Sequence, residues 1–204
     1  MTTPGPGRAG YSEGRLALDA ALLRIHDLRG EPVGAGFLVA DGFALTCAHV
    51  VAAALRLPPG AAPNMFARIE VDLPLLAAPG RVTVGAVLER FVPQQPSGAG
   101  DVAVLRLEAL PEGARPVRLL ETERGDVWDH PARAFGFPAG RPAGVWHRGV
   151  LRARQANGWV QADLVQDGYR VGPGFSGGPV WDDQLVGVVG MTVVAESSDP
   201  RSAT

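Results

Sequence analysis

The apolar positions fall in short runs separated by turn residues, and most of these runs read as strands. Between Leu16 and Ile25 the apolar residues suit a helical or a strand period equally. A strand over Leu22–Asp27 is favoured, because the turn Arg29-Gly30-Glu31-Pro32 then offers Val33–Ala40 as a hairpin partner. Asp41-Gly42 is a tight-turn signal leading into Phe43–Thr46, and a short helical turn carries His49 and runs to about Leu55. Met65–Leu73 and Arg81–Phe91 alternate as two further strands, and the near-continuous apolar stretch Val102–Leu107 predicts a buried one. Pro111–Asp129 is polar and carries prolines, as a long connection would. Beyond it Ala132–Phe137, Val145–Arg154 and Gly158–Leu164 read as strands, with Asn157-Gly158 as a hairpin turn. Val180–Trp181 and Leu185–Ala195 close the series around Asp182-Asp183, and residues 1–10 form a Pro/Gly-rich leader.

One stretch does not read as packing. In Val171-Gly172-Pro173-Gly174-Phe175-Ser176-Gly177-Gly178-Pro179-Val180, glycines flank a single serine on both sides. Glycine permits positive φ and close backbone approach, so such a turn can expose a serine oxygen while successive N–H groups point into one space. Acyl transfer needs that arrangement: a nucleophile, with donors where negative charge develops. Taken alone, the stretch is equally a glycine-rich loop between two strands.

Two further segments decide between these readings. Residues 174–180 resemble the serine loop of trypsin-like peptidases, Leu45-Thr46-Cys47-Ala48-His49-Val50-Val51 resembles the family's histidine segment, and Gly100-Asp101-Val102-Ala103-Val104-Leu105-Arg106-Leu107 resembles its aspartate segment. They occur in the order His, Asp, Ser, that of the chymotrypsin group and not of subtilisins or α/β-hydrolases. The resemblance spans about Ala21 to Ala195. It implies an all-β chymotrypsin-like fold of two six-stranded antiparallel Greek-key barrels, about 21–120 and about 121–204, behind a leader over 1–20. It implies a serine endopeptidase in which Ser176 attacks, His49 takes and returns the proton, Asp101 holds the imidazole, and the N–H groups of Gly174 and Ser176 form the oxyanion hole. The resemblance also places Gly190, Met191 and Thr192 on the strand that pairs with a bound peptide. Arg170 falls at the base of the primary pocket if the loop lengths agree, which favours an acidic side chain there; otherwise Val171 and Thr192 suggest a small or aliphatic one.

Phe175 stands where secreted trypsins carry the aspartate that pairs with a new N-terminal amine after zymogen cleavage. Activity is therefore expected not to depend on releasing a new N-terminus. The pattern is closer to intracellular or HtrA-like trypsin-fold domains, and to the trypsin-like module at the N-terminus of larger actinobacterial proteins. The segment from Ser197 to Thr204 holds neither the further strand nor the helix that the family adds, so a domain cut from a longer protein and an incompletely closed second barrel are expected.

Composition narrows the setting. With 46% hydrophobic residues, 20% charged residues of both signs and a net charge of −2, the chain is an ordinary globular protein with no basic patch for nucleic acid. Its basic residues are all arginine, which reads as the coding bias of a GC-rich, bacterial genome. The single cysteine, Cys47, cannot form an internal disulfide and is expected to be a buried small hydrophobe in a reducing compartment. No apolar leader or bilayer-length run is present, so a cytoplasmic protein is expected, without cofactor or metal, acting on peptide or protein substrates and open to control by a fused or partner domain. His26 is expected at the surface of its strand and His147 in a structural role. Two other readings stay open: a latent or non-catalytic peptide-binding module on the same fold, and an esterase using the same three residues.

Overall fold

Six of the strands close into a barrel. In the computed structural model, which describes residues 16–76, 82–123, 126–156, 158–164 and 169–193, a helical segment over 16–21 leads into β1 (Leu22–His26). β2 (Pro32–Ala40) and β3 (Phe43–Thr46) form the expected hairpin, α1 (Ala48–Ala54) follows, and β4 (Arg68–Asp72), β5 (Thr83–Val92) and β6 (Val102–Leu107) complete the barrel in the order β1-β2-β3-β6-β5-β4. All neighbouring pairs described in it are antiparallel. Closure removes the exposed edges that an open sheet would carry. Alternate residues point inward and are sealed from water, among them Leu23, Ile25, Leu38, Val71, Leu88 and Leu105.

The second half builds a five-stranded sheet from β7 (Pro131–Gly136), β8 (Val145–Arg154), β9 (Val160–Leu164), β10 (Pro179–Asp182) and β11 (Gly187–Met191), in the order β11-β10-β7-β8-β9. Among the described residues it is a curled half-barrel of five strands whose edges are β9 and β11. The connection between the halves is anchored to both. Val117 N–H donates to Leu38 O of the first barrel, and Arg118–Leu120 run alongside β11, with Leu120 N–H donating to Val188 O. The leader over residues 1–10, Asn157 of the second predicted hairpin turn and the end of the last predicted strand lie outside the described residues. No helix among the described residues is long and apolar enough to cross a membrane.

One polar cluster departs from expectation. His26, expected at the surface, is 2% exposed. The β1–β2 register slips between Ile25 and His26, and the imidazole sits inside, Nδ1 against Gly30 O at 3.1 Å and Nε2 against Asp72 Oδ2 at 3.4 Å. Arg24, directly opposite Asp72 on β4, grips the same carboxylate with Nε and Nη2 at 3.0 and 2.7 Å. Burial alone pushes the Asp72 carboxyl up, but the hydrogen bonds from His26 and Arg24 outweigh it and hold the group at about 2. A carboxyl held below its unfolded value stabilises the fold above that value and ceases to do so as the pH falls through the folded one. Stability measured by urea denaturation is therefore expected to fall between about pH 4 and pH 2, and less steeply in Asp72→Asn than in the wild type.

Candidate active site

β3 delivers the chain to Cys47, which caps the seven-residue helix α1 without a side-chain hydrogen bond. His49, the second residue of α1, has a main-chain N–H with no partner inside the helix. Asp101 supplies it: Oδ1 accepts the His49 main-chain N–H at 2.9 Å, while Oδ2 lies 2.7 Å from ring Nδ1. One carboxylate thus caps the helix and orients the ring it carries. Asp101 is 1% exposed, whereas the His49 side chain is half exposed. The aspartate adopts φ 58, rare for a residue with a Cβ, at the mouth of β6. Gly100 before it is required: its φ is +86, and a Cβ there would meet Pro93 O at 2.3 Å.

The serine loop arrives from the second half, between β9 and β10, and docks on the first barrel. Ala35 N–H on β2 donates to Ser176 O at 2.9 Å. At Gly34 an added Cβ would meet Val50, the residue after His49, at 2.7 Å and Ser176 O at 3.0 Å, so the serine main chain packs close to the helix that bears the histidine. The Ser176 hydroxyl makes no hydrogen bond among the described residues, and in this structure it is not joined to His49. Around it the N–H groups alternate in use. Phe175 N–H is taken by Gly172 O at 3.0 Å, while those of Gly174 and Ser176 have no acceptor among the described residues. Gly174 has φ +96, and a Cβ there would strike Phe137 O at 2.4 Å, so the loop could not take this course with another residue. Phe175 is completely buried and stacks on Tyr169, ring centroids 6.0 Å apart.

The positions expected to meet a bound peptide divide. Gly190 is exposed and Met191 half-buried on the edge strand β11, opposite Val180 and Pro179. Thr192 is consumed internally. Its N–H donates to Gly178 O at 2.8 Å, its C=O accepts Gly177 N–H at 2.8 Å, and its hydroxyl donates to Phe175 O and to Gly178 O. These bonds lie just past the end of β11, where the chain turns back onto the serine loop. Arg170 is exposed and Val171 half-buried. The residue before them is held from below, since His147 Nδ1 lies 2.7 Å from Tyr169 O. His147 is buried, in keeping with the structural role expected of it, and burial holds its imidazole below the usual histidine range despite that bond.

A feature not read from the sequence is an open groove of about 680 Å³ beside His49 and Asp101, lined mainly by apolar groups including Leu57, Pro63, Met65 and Phe91. Its only signal was the apolar, proline-rich run after α1. Cys47 is sealed at 0% exposure, with Sγ 3.3 Å from Thr192 O. Ligand atoms of Cys47, His49 and Asp101 lie within 4.8 Å of one another. Burial and the neighbouring Asp101 charge push the thiol well above its ordinary range, so it stays protonated and is a poor metal ligand. Cys47 is accordingly expected not to react with Ellman's reagent in the native protein and to react fully in denaturant; rapid native labelling would contradict its placement.

Comparison with known proteins agrees with this architecture. The chain matches the model of the trypsin-like peptidase domain over residues 34–191. No curated protein sequence matches it. Among solved structures it is similar to the serine endoprotease from Yersinia pestis, at 17% identity and a TM-score of 0.64, covering 95% of this chain and 59% of that one. It is also similar to Deg5, at 20% identity and a TM-score of 0.61, covering 92% and 85%. The inactive form of the Rv3671c protease matches at 19% identity and a TM-score of 0.57, covering 96% and 89%. At these identities the structures speak for the fold, and the chain spans 59% of the Yersinia protein's length. The match over residues 34–191, together with a two-barrel fold that brings the histidine, aspartate and serine segments to one interface, makes this chain a member of the trypsin-like peptidase domain family.

Proposed function

We propose that the chain is a serine endopeptidase that hydrolyses peptide bonds through Ser176, His49 and Asp101. The observation that carries the reading is the two-point grip of a buried Asp101 on His49, beside a serine loop docked on the same part of the first barrel. Ser176 Oγ attacks the scissile carbonyl as His49 Nε2 takes its proton, and Asp101 stabilises the imidazolium without accepting the proton. The tetrahedral oxyanion takes hydrogen bonds from the N–H groups of Gly174 and Ser176. Collapse returns the proton to the leaving amine and leaves an acyl ester on Ser176, which water, deprotonated by His49, then hydrolyses. If Arg170, exposed at the start of the serine loop, reaches the primary pocket, it favours an acidic side chain on the acyl side of the scissile bond; otherwise Val171 and Thr192 favour a small or aliphatic one.

A latent form is the second reading, and the unengaged hydroxyl of Ser176 is what favours it. In that case a fused or partner domain completes the contact between Ser176 and His49. A fluorophosphonate probe separates the two. The purified chain is expected to be labelled on Ser176; Ser176→Ala abolishes labelling, His49→Ala slows it by several orders of magnitude, and Gly174→Ala slows it by about 10²-fold or more. A folded wild type that resists labelling would support latency. Because Phe175 is buried and offers no carboxylate to a new amine, removing residues 1–15 is expected to leave the labelling rate unchanged. A requirement for trimming would refute the proposed independence from N-terminal cleavage.

A further inference from the structure

Arg24 lies on β1, outside the site just described, yet every side of its guanidinium is in use. Leu22 and Arg24 alternate onto one face of β1, and Leu22 is buried against Phe135 and Phe137 of the second half, so this face lies at the junction between the barrels. Nε and Nη2 hold the buried Asp72 carboxylate. Nη1 donates across the junction to Pro142 O, and the guanidinium carbon sits 5.5 Å from the centre of the Phe137 ring. Phe137 in turn meets the serine loop through its main chain. Its N–H donates to Gly174 O at 2.8 Å, and its C=O fills the space a Gly174 side chain would need. The peptide unit whose oxygen is held this way lies between the two N–H groups assigned to the oxyanion.

We infer that Arg24 is a positioning residue for oxyanion stabilisation, acting through Phe137 on Gly174; the inference rests on the reading of Ser176 as nucleophile. Replacing a buried ion pair by apolar groups is often neutral or favourable for stability, so stability alone gives no reason to keep one here. A planar fork does what an apolar group cannot: it fixes direction toward Asp72, Pro142 O and the Phe137 ring together. Lysine, with a point charge, can keep the contact with Asp72 but not all three at once. The 137–142 turn would then be free to shift, and with it the donors. A misplacement of about 1 Å in such a group costs on the order of 10²-fold in rate.

The test uses the full chain in two forms. Arg24→Lys keeps the charge, and the double variant Arg24→Met/Asp72→Asn removes the buried pair as a unit, so that neither leaves an unpaired buried carboxylate. Arg68→Ala, which breaks the exposed Arg68–Glu108 pair, is the control. Two quantities are read at a temperature where melting curves show each variant folded: amide hydrogen exchange at Phe137, and the fluorophosphonate labelling rate per folded molecule. In both Arg24 forms Phe137 exchange is expected to speed by about tenfold or more. Labelling is expected to slow by about 10²-fold, and on a peptide substrate the loss falls in kcat and not in KM. The control changes neither. Unchanged Phe137 exchange overturns the inference, as does faster exchange with labelling at the wild-type rate. If the wild type itself resists labelling, the latent reading replaces the active one, while Phe137 exchange still decides whether Arg24 governs the Gly174 contact.

Discussion

The site is organised by one carboxylate in an unusual place. Asp101 is sealed from water, and an unpaired buried charge would cost several kcal/mol. Both oxygens are therefore committed, one to the orphan main-chain N–H of His49 in a very short helix and the other to the imidazole of the same residue. The left-handed φ of Asp101, allowed by Gly100, aims the carboxylate from the mouth of β6 toward that helix. Seven residues of α1 would not persist alone in water. The same interaction that places the histidine also holds the helix carrying it, so fold and site cannot be separated there.

The other half of the site depends on how the barrels meet. The serine loop is tied to the first barrel through Ser176 O, to the end of β11 through Thr192, and to the β7–β8 turn through Phe137. Thr192 spends its N–H, C=O and hydroxyl on three residues of that loop and receives the Cys47 thiol as well, joining the histidine helix to the last strand. Phe175, buried against Tyr169, anchors the loop by packing where an ion pair would otherwise serve. The loop's shape is thus set by hydrogen bonds and burial already present in the folded chain. That is why the proposed activity calls for no new terminus.

The architecture was legible in the sequence wherever chemistry and pattern coincided. Alternation and turn pairs located nearly every strand, and three short segments placed His49, Asp101 and Ser176 before any coordinate. Reading failed where the outcome depends on register or on partners distant in sequence. His26 is polar and ends β1, and what buries it is Asp72 on β4, a partner distant in sequence. Thr192 binds its main chain to Gly177 and Gly178, a fact of three-dimensional register that no local pattern carries. Nothing local marks Arg24, because its partners come from two distant stretches of chain, Asp72 on β4 and the turn from Phe137 to Pro142.

The central claim is that Ser176, His49 and the two loop N–H groups act on one tetrahedral centre. The most direct measurement is a crystal structure of the chain with a peptide boronic acid, whose boron becomes tetrahedral when a nucleophile adds to it. The account predicts a covalent bond from Ser176 Oγ to boron, one boronate oxygen within hydrogen-bond distance of Gly174 N and Ser176 N, and His49 Nε2 facing the reacting oxygen. A boronate bound elsewhere, or attached to Ser176 with its oxygens turned away from both N–H groups, would contradict it.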